Sequence, residues 1–236
     1  MKKKIVFFTG AGISAESGVS TFRDEDGLWY NNNIDDVASI TGWLKNPKKV
    51  LDFYNTLREK LPSFQPNHAH LVLSNLEKEY DVTIITQNVD DLHERAGSSN
   101  IIHLHGELTK ARGTLYDHKP SPFDVIHDIG YNEINMGDIC NETNSQLRPH
   151  IVWFGEYPFG VEEATNAIMN ADILIIVGTS LQITYTIPML MSVKRDIPIY
   201  YIDPDPSMEL SENGLNVNYI CKKACEGIND FLLNIY

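Results

Sequence analysis

The sequence predicts an α/β protein: a Rossmann-like parallel sheet with helices on both faces, plus a small helical or irregular lobe. Two observations predict this fold. Short apolar, β-branched runs alternate with segments of helical periodicity along the chain. The first apolar run also leads directly into a glycine-containing turn. With 236 residues, the chain is long enough to bury the core of one such domain.

The predicted strands are six apolar runs, because runs of this length are typical of strands buried on both faces. They are Lys4–Phe8, Val82–Thr86, Ile151–Trp153, Ile173–Val177, Ile199–Ile202 and Val217–Ile220. Helical spacing predicts three intervening helices, which are His68–Tyr80, Val161–Ala171 and Gly227–Ile235. Two stretches interrupt the alternation. We therefore expect one domain, residues 1–236, with its Rossmann core at about 1–23, 64–110 and 148–236, and small-lobe insertions at about 24–63 and 111–147.

Composition excludes several classes of function. The formal net charge of −13 disfavours binding to nucleic acid phosphates. No run of 18 apolar residues occurs, so we expect no membrane span and no membrane partner. The three cysteines form no disulfide framework, and a reducing cytoplasm is the expected location. We expect a monomer.

The glycine turn after the first strand is a candidate anion site. Gly10 and Gly12 allow positive φ and let the backbone approach an anion without a Cβ in the way. A helix that starts there would add unpaired N–H groups and the positive end of its dipole. A Gly-x-Gly turn alone is a weak signal, and a plain strand-to-helix turn is the alternative.

Polar side chains follow the strand Val82–Thr86 at the sheet edge where open α/β sheets bind ligands. Gln87, Asn88 and Asp90 are able to hydrogen-bond a ribose or a carboxamide. The alternative is a helix N-cap, with Asp90 or Asn88 capping the helix that runs through Glu94, and both roles are compatible.

A second polar group lies in Ile101–Leu108, where a strand end carries the motif His-x-His-Gly. The two histidines of this motif, His103 and His105, are candidates for a general base, since histidine titrates near neutral pH and can take a proton from a sugar hydroxyl. Structural histidines are more common than catalytic ones. His103 and His105 also suggest a metal pair, but no further ligand follows at a recognisable spacing, so we expect no metal.

These motifs, in this order, resemble the sirtuin family of NAD-dependent protein deacylases, and they cover nearly the whole chain. They are Gly10–Ser14, Phe22–Asp24, Thr86–Asp90, His103–Gly106, Ile151–Glu156 and Gly178–Leu181. His105–Leu108 and Arg148–His150 look most like the bacterial and mitochondrial branch that removes acidic acyl groups such as succinyl.

The resemblance implies roles for individual residues, with NAD as the cofactor and the acylated lysine of a protein or peptide as the substrate. His105 is the implied catalytic base, assisted by Asn88 and Asp90. The implied cofactor-binding residues are Gly10, Ala11, Gly12, Ser14, Thr21, Phe22, Arg23, Gln87, Asn88, Asp90, Gly178, Thr179, Ser180 and Asp203. The implied substrate-binding residues are Tyr54, Arg58, Val152, Phe154, Gly155 and Glu156. Of these, Val152, Gly155 and Glu156 supply backbone that pairs with the peptide.

The implied reaction yields nicotinamide, an O-acyl-ADP-ribose and free lysine. ADP-ribosyl transfer to a protein and NAD hydrolysis are alternatives on the same site. The branch of the family known for transfer tends to lack the base, and His105 is present here. A non-catalytic NAD-binding module is a third alternative, which the combined retention of Asn88, Asp90 and His105 argues against.

The sequence departs from the family in its small lobe. The family commonly holds a structural zinc on two Cys-x-x-Cys pairs, whereas residues 111–147 contain only Cys140, and Gly113 falls where the first cysteine would be. Structural zinc takes four ligands. A substitute set from His118, His127, Asp128 and Cys140 is the alternative, but we predict that the zinc site is lost.

Two other departures concern the site itself. The acidic-acyl branch has a Tyr and an Arg three residues apart. Here Leu57 follows Tyr54 at that spacing, and Arg58 comes one residue later. Desuccinylation through Arg58 is thus a hypothesis, and a surface position of Arg58 is the alternative. Ser20 replaces a usual proline, and the segment ending at Tyr185 lacks the usual Tyr-Pro; we expect neither change to touch the base.

Overall fold

The structure, a computed structural model, describes residues 2–20, 33–113 and 124–235. The strands within these ranges are β1 (Lys4–Thr9), β2 (Asp81–Thr86), β3 (Ile101–His103), β4 (Gly106–Gly113), β5 (Val125–Asp128), β6 (Ile139–Cys140), β7 (Ser145–Gln146), β8 (Arg148–Ile151), β9 (Ile173–Val177), β10 (Ile199–Ile202) and β11 (Val217–Ile220). The helices are α1 (Ala11–Ala15), α2 (Ile34–Val37), α3 (Ile40–Lys45), α4 (Pro47–Lys60), α5 (His68–Leu76), α6 (Leu92–Arg95), α7 (Val161–Met169), α8 (Thr186–Leu190), α9 (Glu209–Glu212) and α10 (Ala224–Ile235), with a 3₁₀ turn at Leu61–Ser63.

Six strands form a parallel sheet in the order β11–β10–β9–β1–β2–β3. Its central strands β9 and β1 are mostly apolar because both faces are covered: all five residues of β9 are buried, as are five of the six in β1. The predicted fold class is therefore confirmed. The prediction for Ile151–Trp153 is wrong, since Ile151 ends β8, which lies outside this sheet and pairs antiparallel with β4.

Helices cover both faces of the parallel sheet. Ala69 and Leu73 of α5, with Ile228 and Phe231 of α10, pack on one face. On the other face lie four buried side chains of α7 and α8, namely Ala164, Ile168, Met189 and Leu190. These contacts confirm the three predicted helices, with their bounds shifted by a few residues at one end.

A smaller layer packs beside the parallel sheet. It contains the antiparallel sheet β5–β4–β8 and a cluster of buried side chains, most of them from α2, α3, α4 and the segment around β8. Within this cluster, the rings of Trp43 and Trp153 contact each other, with centroids 5.4 Å apart. The predicted small-lobe segments 24–63 and 111–147 fall largely here, although 24–32 and 114–123 lie outside the described residues. The predicted domain limits remain predictions. Across the described residues, every helix is too short or too polar to traverse a bilayer.

Candidate active site

The parallel sheet brings three of the predicted site segments to one edge. Thr9 at the end of β1 lies opposite Thr86 of β2 and Val177 of β9, so three central strands end side by side. The loops that leave them carry the glycine turn, the Gln87–Asp90 segment and Gly178–Ser180 respectively. Residues separated by up to 170 positions in the chain thus meet at a single site.

The glycine turn is shaped by close packing. Gly12 donates its N–H to the Gly178 carbonyl over 2.8 Å, and a Cβ at Gly12 would lie 2.6 Å from Gly178 Cα. Gly10 is extended, with φ −128°, and Gly12 lies inside α1, so neither residue uses the positive φ that glycine allows. Glycine is required here because two backbone segments touch, and positive φ is found instead at Gly178. The predicted helix after the turn is confirmed as α1, which includes Ala11.

Ser14 is the centre of a buried hydrogen-bond network. Its hydroxyl donates to Asp90 Oδ2 over 2.9 Å and accepts from the Asn88 amide over 3.1 Å. Asp90 Oδ1 in turn accepts the N–H of Leu92, the first residue of α6. The N-cap residue of α6 is Asp91, not Asn88 or Asp90 as predicted, and its side chain makes no capping bond. Asp90, one residue earlier, satisfies the first N–H of the helix, and Asn88 and Asp90 both lie at the sheet edge.

Burial controls the ionisation of Asp90. Loss of hydration raises the pKa of its carboxyl to about 6, although the hydrogen bonds from Leu92 and Ser14 lower it. The carboxylate form is therefore present at neutral pH. The hydrogen bonds from Ser14 and Leu92 fix the position of this carboxylate, so its negative charge has a defined place at the sheet edge.

Two histidines behind this network were not predicted as site residues. His70 Nε2 lies 3.5 Å from Ser14 Oγ, and His93 Nε2 lies 3.1 Å from Thr9 Oγ1. Their rings are in edge contact, with centroids 4.9 Å apart. Burial lowers the pKa of His70 to about 4 and that of His93 well below its usual value, so both are neutral. The sequence marks them only as members of helical segments, since their role depends on helix packing against β1.

His105 is held by hydrogen bonds on both sides of its ring. Its Nδ1 lies 2.8 Å from the Gln87 carbonyl oxygen, and its Nε2 lies 2.6 Å from the hydroxyl of Tyr185. Burial lowers the pKa of His105 to about 4, opposed by the bond to Gln87. The expectation that the altered segment around Tyr185 leaves the base untouched is therefore wrong. Helix α8 begins at Thr186, which places Tyr185 directly before it and over the imidazole.

His103 has a different role from His105. Its Nε2 lies 2.6 Å from Glu94 Oε1, and its Nδ1 lies 3.3 Å from the Asn88 carbonyl oxygen. Burial opposes its charged form, but the hydrogen bond and charge of Glu94 raise its pKa overall. Glu94, His103 and Glu107 present donor atoms that are close enough together to hold a metal ion, whereas the His105 ring bonds to Gln87 and Tyr185. The two histidines therefore contact different groups, and the absence of a metal remains a prediction.

The other predicted cofactor residues lie around the same edge. Thr179 donates its hydroxyl to Gln87 Oε1 over 2.8 Å, and its carbonyl accepts from Tyr201. Ser180 is partly buried beside Thr179, and the Asp203 carboxylate follows β10, where it accepts the N–H of Asp205. The predicted residues Thr21, Phe22 and Arg23 lie outside the described residues.

Tyr54 and Arg58 both lie in the interior of the small layer. The Tyr54 hydroxyl accepts from Trp153 Nε1 over 3.1 Å. Arg58 is fully buried, so the alternative of a surface arginine is wrong. Its Nε donates to the Leu108 carbonyl and its Nη1 to Asn55, while Nη2 has no hydrogen-bond partner within the described part of the chain. Burial lowers the pKa of Arg58 to about 10, which leaves it charged.

The segment after β8 is anchored by a buried ion cluster. Glu156 accepts hydrogen bonds from the guanidinium groups of Arg112 and Arg148 and from the Trp153 N–H. The Val152 N–H already donates to His105 and the Glu156 N–H to Trp153. Those two amides are therefore not available for the predicted pairing with a peptide. Phe154 is half exposed, and Gly155 has φ +93°.

The described residues of the small lobe supply three metal donors. Cys140 Sγ lies 3.3 Å from His127 Nε2 and 3.3 Å from Glu142 Oε2. Asp128 instead accepts the N–H of Gly130, and His118 lies outside the described residues. A Cβ at Gly113 would lie 2.6 Å from Cys140 Sγ, so the thiol occupies the place of a side chain at position 113. Three donors do not fit the closed four-ligand zinc site of the family. Loss of the zinc remains a prediction.

Fold and site together define an α/β protein whose parallel sheet has the kind of carboxyl edge that binds nucleotides, with a buried neutral histidine at that edge. The Sir2 family profile matches residues 10–185, and this chain belongs to the Sir2 family. The NAD-dependent protein deacylase of Helicobacter pylori (strain ATCC 700392 / 26695) is 51% identical over 98% of this chain and 96% of its own. That of Bacteroides thetaiotaomicron is 44% identical over 97% and 96%.

Solved structures agree with the family assignment. A Sir2 homologue in complex with NAD has a TM-score of 0.81 and 35% identity, covering 99% of this chain and 90% of that one. A mutant Sir2 homologue in complex with ADP ribose has a TM-score of 0.82 and 34% identity, covering 99% and 92%. The recognition of the family from sequence is confirmed.

Proposed function

We propose that this protein is an NAD-dependent protein-lysine deacylase. The observation that carries the proposal is the state of His105: a neutral imidazole, fixed through Nδ1, at the sheet edge beside the Ser14–Asn88–Asp90 network. A neutral imidazole with a lone pair on Nε2 is the form that accepts a proton. The family membership, together with the identity of the relatives, supports NAD as the cofactor.

The residues at the sheet edge fit a dinucleotide. The glycine turn has no side chain between its backbone and the Gly178 loop. The N–H groups of Gly10, Gly12 and Ile13 already donate to backbone carbonyls, so the turn offers a pyrophosphate the Ala11 N–H and the positive end of α1. We assign the pyrophosphate to Gly10–Gly12, the phosphate and adenosine side to Gly178–Ser180, and the adenine ribose to Asp203. Gln87, Asn88 and Asp90 then face the nicotinamide and its ribose.

Bound NAD supplies an electrophilic ribose carbon for the acyl-lysine oxygen and, after nicotinamide departs, ribose hydroxyls that take over the acyl group. The chain holds and moves one proton in this chemistry. His105 accepts it at Nε2, while the Gln87 carbonyl keeps the Nδ1 proton in place and stabilises the imidazolium that results. Asp90 supplies a fixed negative charge beside the site, held by Ser14 and Leu92.

The test is a product analysis by mass spectrometry. The protein is incubated with NAD and either an acetyl-lysine or a succinyl-lysine peptide, and His105→Ala is compared with His68→Ala, which alters a histidine on the surface end of α5. We expect O-acyl-ADP-ribose and free lysine from the wild type and the His68 variant, and neither from the His105 variant. Plain ADP-ribose or a modified protein would favour NAD hydrolysis or ADP-ribosyl transfer instead. NAD binding without any product would favour a non-catalytic module.

The acyl preference is a finer proposal. Arg58 is a buried cation whose Nη2 lacks a partner in the described structure, and a carboxylate on the acyl chain would satisfy it. Leu57 stands at the usual arginine position and opposes this idea. Arg58→Lys keeps the charge but loses the fork, so it should lower the ratio of succinyl to acetyl turnover. The ratio cancels any general loss of folded enzyme, and an unchanged ratio would refute the role of Arg58.

A further inference from the structure

Tyr185 contacts the group that the proposed function uses as its base. Its hydroxyl lies 2.6 Å from His105 Nε2, and the two rings are nearly perpendicular, at 86°. Tyr185 is 80 residues from His105 in sequence and departs from the family pattern at this point. The proposed reaction gives Tyr185 no role, although it occupies the nitrogen that the reaction needs.

The donor in this hydrogen bond follows from the other side of the ring. The Gln87 carbonyl oxygen only accepts, so Nδ1 of His105 carries the proton and donates to it. In the neutral imidazole Nε2 is then an acceptor, and the Tyr185 hydroxyl is its donor. Burial raises the pKa of Tyr185 to about 12, partly offset by a hydrogen bond with the Gln87 side chain, so the phenol keeps its proton.

We propose that Tyr185 is a positioning residue for the base: its hydroxyl orients His105, keeps Nε2 unprotonated in the cofactor-free protein, and yields that nitrogen to a ribose hydroxyl during catalysis. This inference rests on the proposed function for its last step only. No hydrogen bond is lost in this step, because the O–H of the ribose replaces the O–H of Tyr185 as the donor to Nε2. Gln87 serves both partners, since its carbonyl fixes Nδ1 and its side chain contacts the phenol.

The variant Tyr185→Phe removes the hydroxyl and keeps the ring that packs against the core. Loss of one neutral hydrogen bond corresponds to about a 3- to 10-fold effect, so the deacylation kcat should fall by that factor. Exchange of labelled nicotinamide into NAD, in the presence of acyl peptide, reports only the steps before the base acts. It should stay within about twofold of the wild type. Tyr219→Phe is the matched control, because it loses a hydroxyl bond to Ser211 away from the site.

A second readout is independent of turnover. Nitrogen NMR of the imidazole in the cofactor-free protein should show Nε2 as a hydrogen-bonded acceptor in wild type and Tyr219→Phe. In Tyr185→Phe that signal should move towards a free acceptor. Equal losses in exchange and deacylation, an unchanged or faster deacylation, or an unchanged nitrogen spectrum would each overturn the proposal. If the wild type turned over no acyl peptide, the proposed function would fail while the spectrum still tested Tyr185.

Discussion

Replacing Glu156 by Gln should destabilise the protein more than any surface change, because its carboxylate neutralises two buried arginines. The side chains of Glu156, Arg112 and Arg148 are all 0–1% exposed. Arg148 donates to Glu156 from Nη1 over 2.7 Å and from Nη2 over 3.0 Å. Arg112 donates from Nη2 over 3.0 Å, and the Trp153 N–H adds a bond of 2.8 Å.

The magnitude follows from the cost of leaving a buried charge uncompensated. Burial lowers the pKa of Arg148 to about 10 and also lowers that of Arg112, yet both guanidinium groups remain charged at neutral pH. Removing one partner of a buried ion pair costs about 3–5 kcal/mol. In Glu156→Gln one oxygen still accepts, but the second becomes an N–H₂ group that faces donors. We therefore expect a loss of about 3–5 kcal/mol, or a fall in Tm of roughly 6–20 °C for a chain of this size.

Urea denaturation, monitored by tryptophan fluorescence, measures this loss. Trp153 is a suitable probe because the Cζ of Arg148 lies 3.2 Å from the centroid of its ring. Glu162→Gln is the matched control, because Glu162 is exposed in the first turn of α7. The control should change stability by no more than about 0.5 kcal/mol. A loss below about 1 kcal/mol in Glu156→Gln would refute the reasoning, as it would mean that the arginines find other compensation.

Three further predictions concern the sheet edge and the small lobe. Burial raises the pKa of Asp90 to about 6, above its value near 4 in the unfolded chain, so the folded state loses stability as the pH rises from about 4 to 6. Asp90→Asn should therefore be more stable than the wild type in urea denaturation at pH 7.5. The same measurement at pH 4 should show no such gain. Gly12→Ala should cost about 1–3 kcal/mol in the same denaturation assay, since its Cβ would lie 2.6 Å from Gly178 Cα; a neutral result would contradict the close packing. Dialysis against a chelator should leave the thermal midpoint unchanged if His127 and Cys140 hold no structural metal, and a clear drop would refute the predicted zinc loss.

Much of the fold was predictable because parallel strands and amphipathic helices have short-range signatures. Ile173–Val177 and Ile199–Ile202 match the observed strands residue for residue. The meeting of Gln87–Asp90 with the glycine turn was also predictable, since parallel strands end at the same edge. An apolar run does not indicate, however, which of two sheets the strand belongs to. Ile151 is buried like a central strand residue, yet it pairs antiparallel with Gly106.

The contacts that the sequence did not predict are tertiary contacts between segments distant in the chain. Arg58 is the clearest case, because helical spacing indicates its neighbours on α4 but not the Leu108 carbonyl that draws it inward. Gly10 and Gly12 are a second case. The motif indicates that glycine is needed there, but not whether the reason is a positive φ or the close approach of another backbone segment. The contact between Tyr185 and His105 depends on where α8 begins relative to β3, which no local pattern encodes.

Burial inverts the usual order of the two titrations at the site. The Asp90 carboxyl has a pKa of about 6, and the His105 imidazole has a pKa of about 4. At neutral pH the carboxylate is therefore charged and the imidazole is not, so this pair carries one fixed negative charge and one available lone pair. Under the proposed function this suits a cofactor whose nicotinamide ring is cationic, because the negative charge favours binding while no imidazolium opposes it. Since His105 is already neutral above about pH 5, its competence depends on orientation rather than on titration, and orientation is what Gln87 and Tyr185 provide.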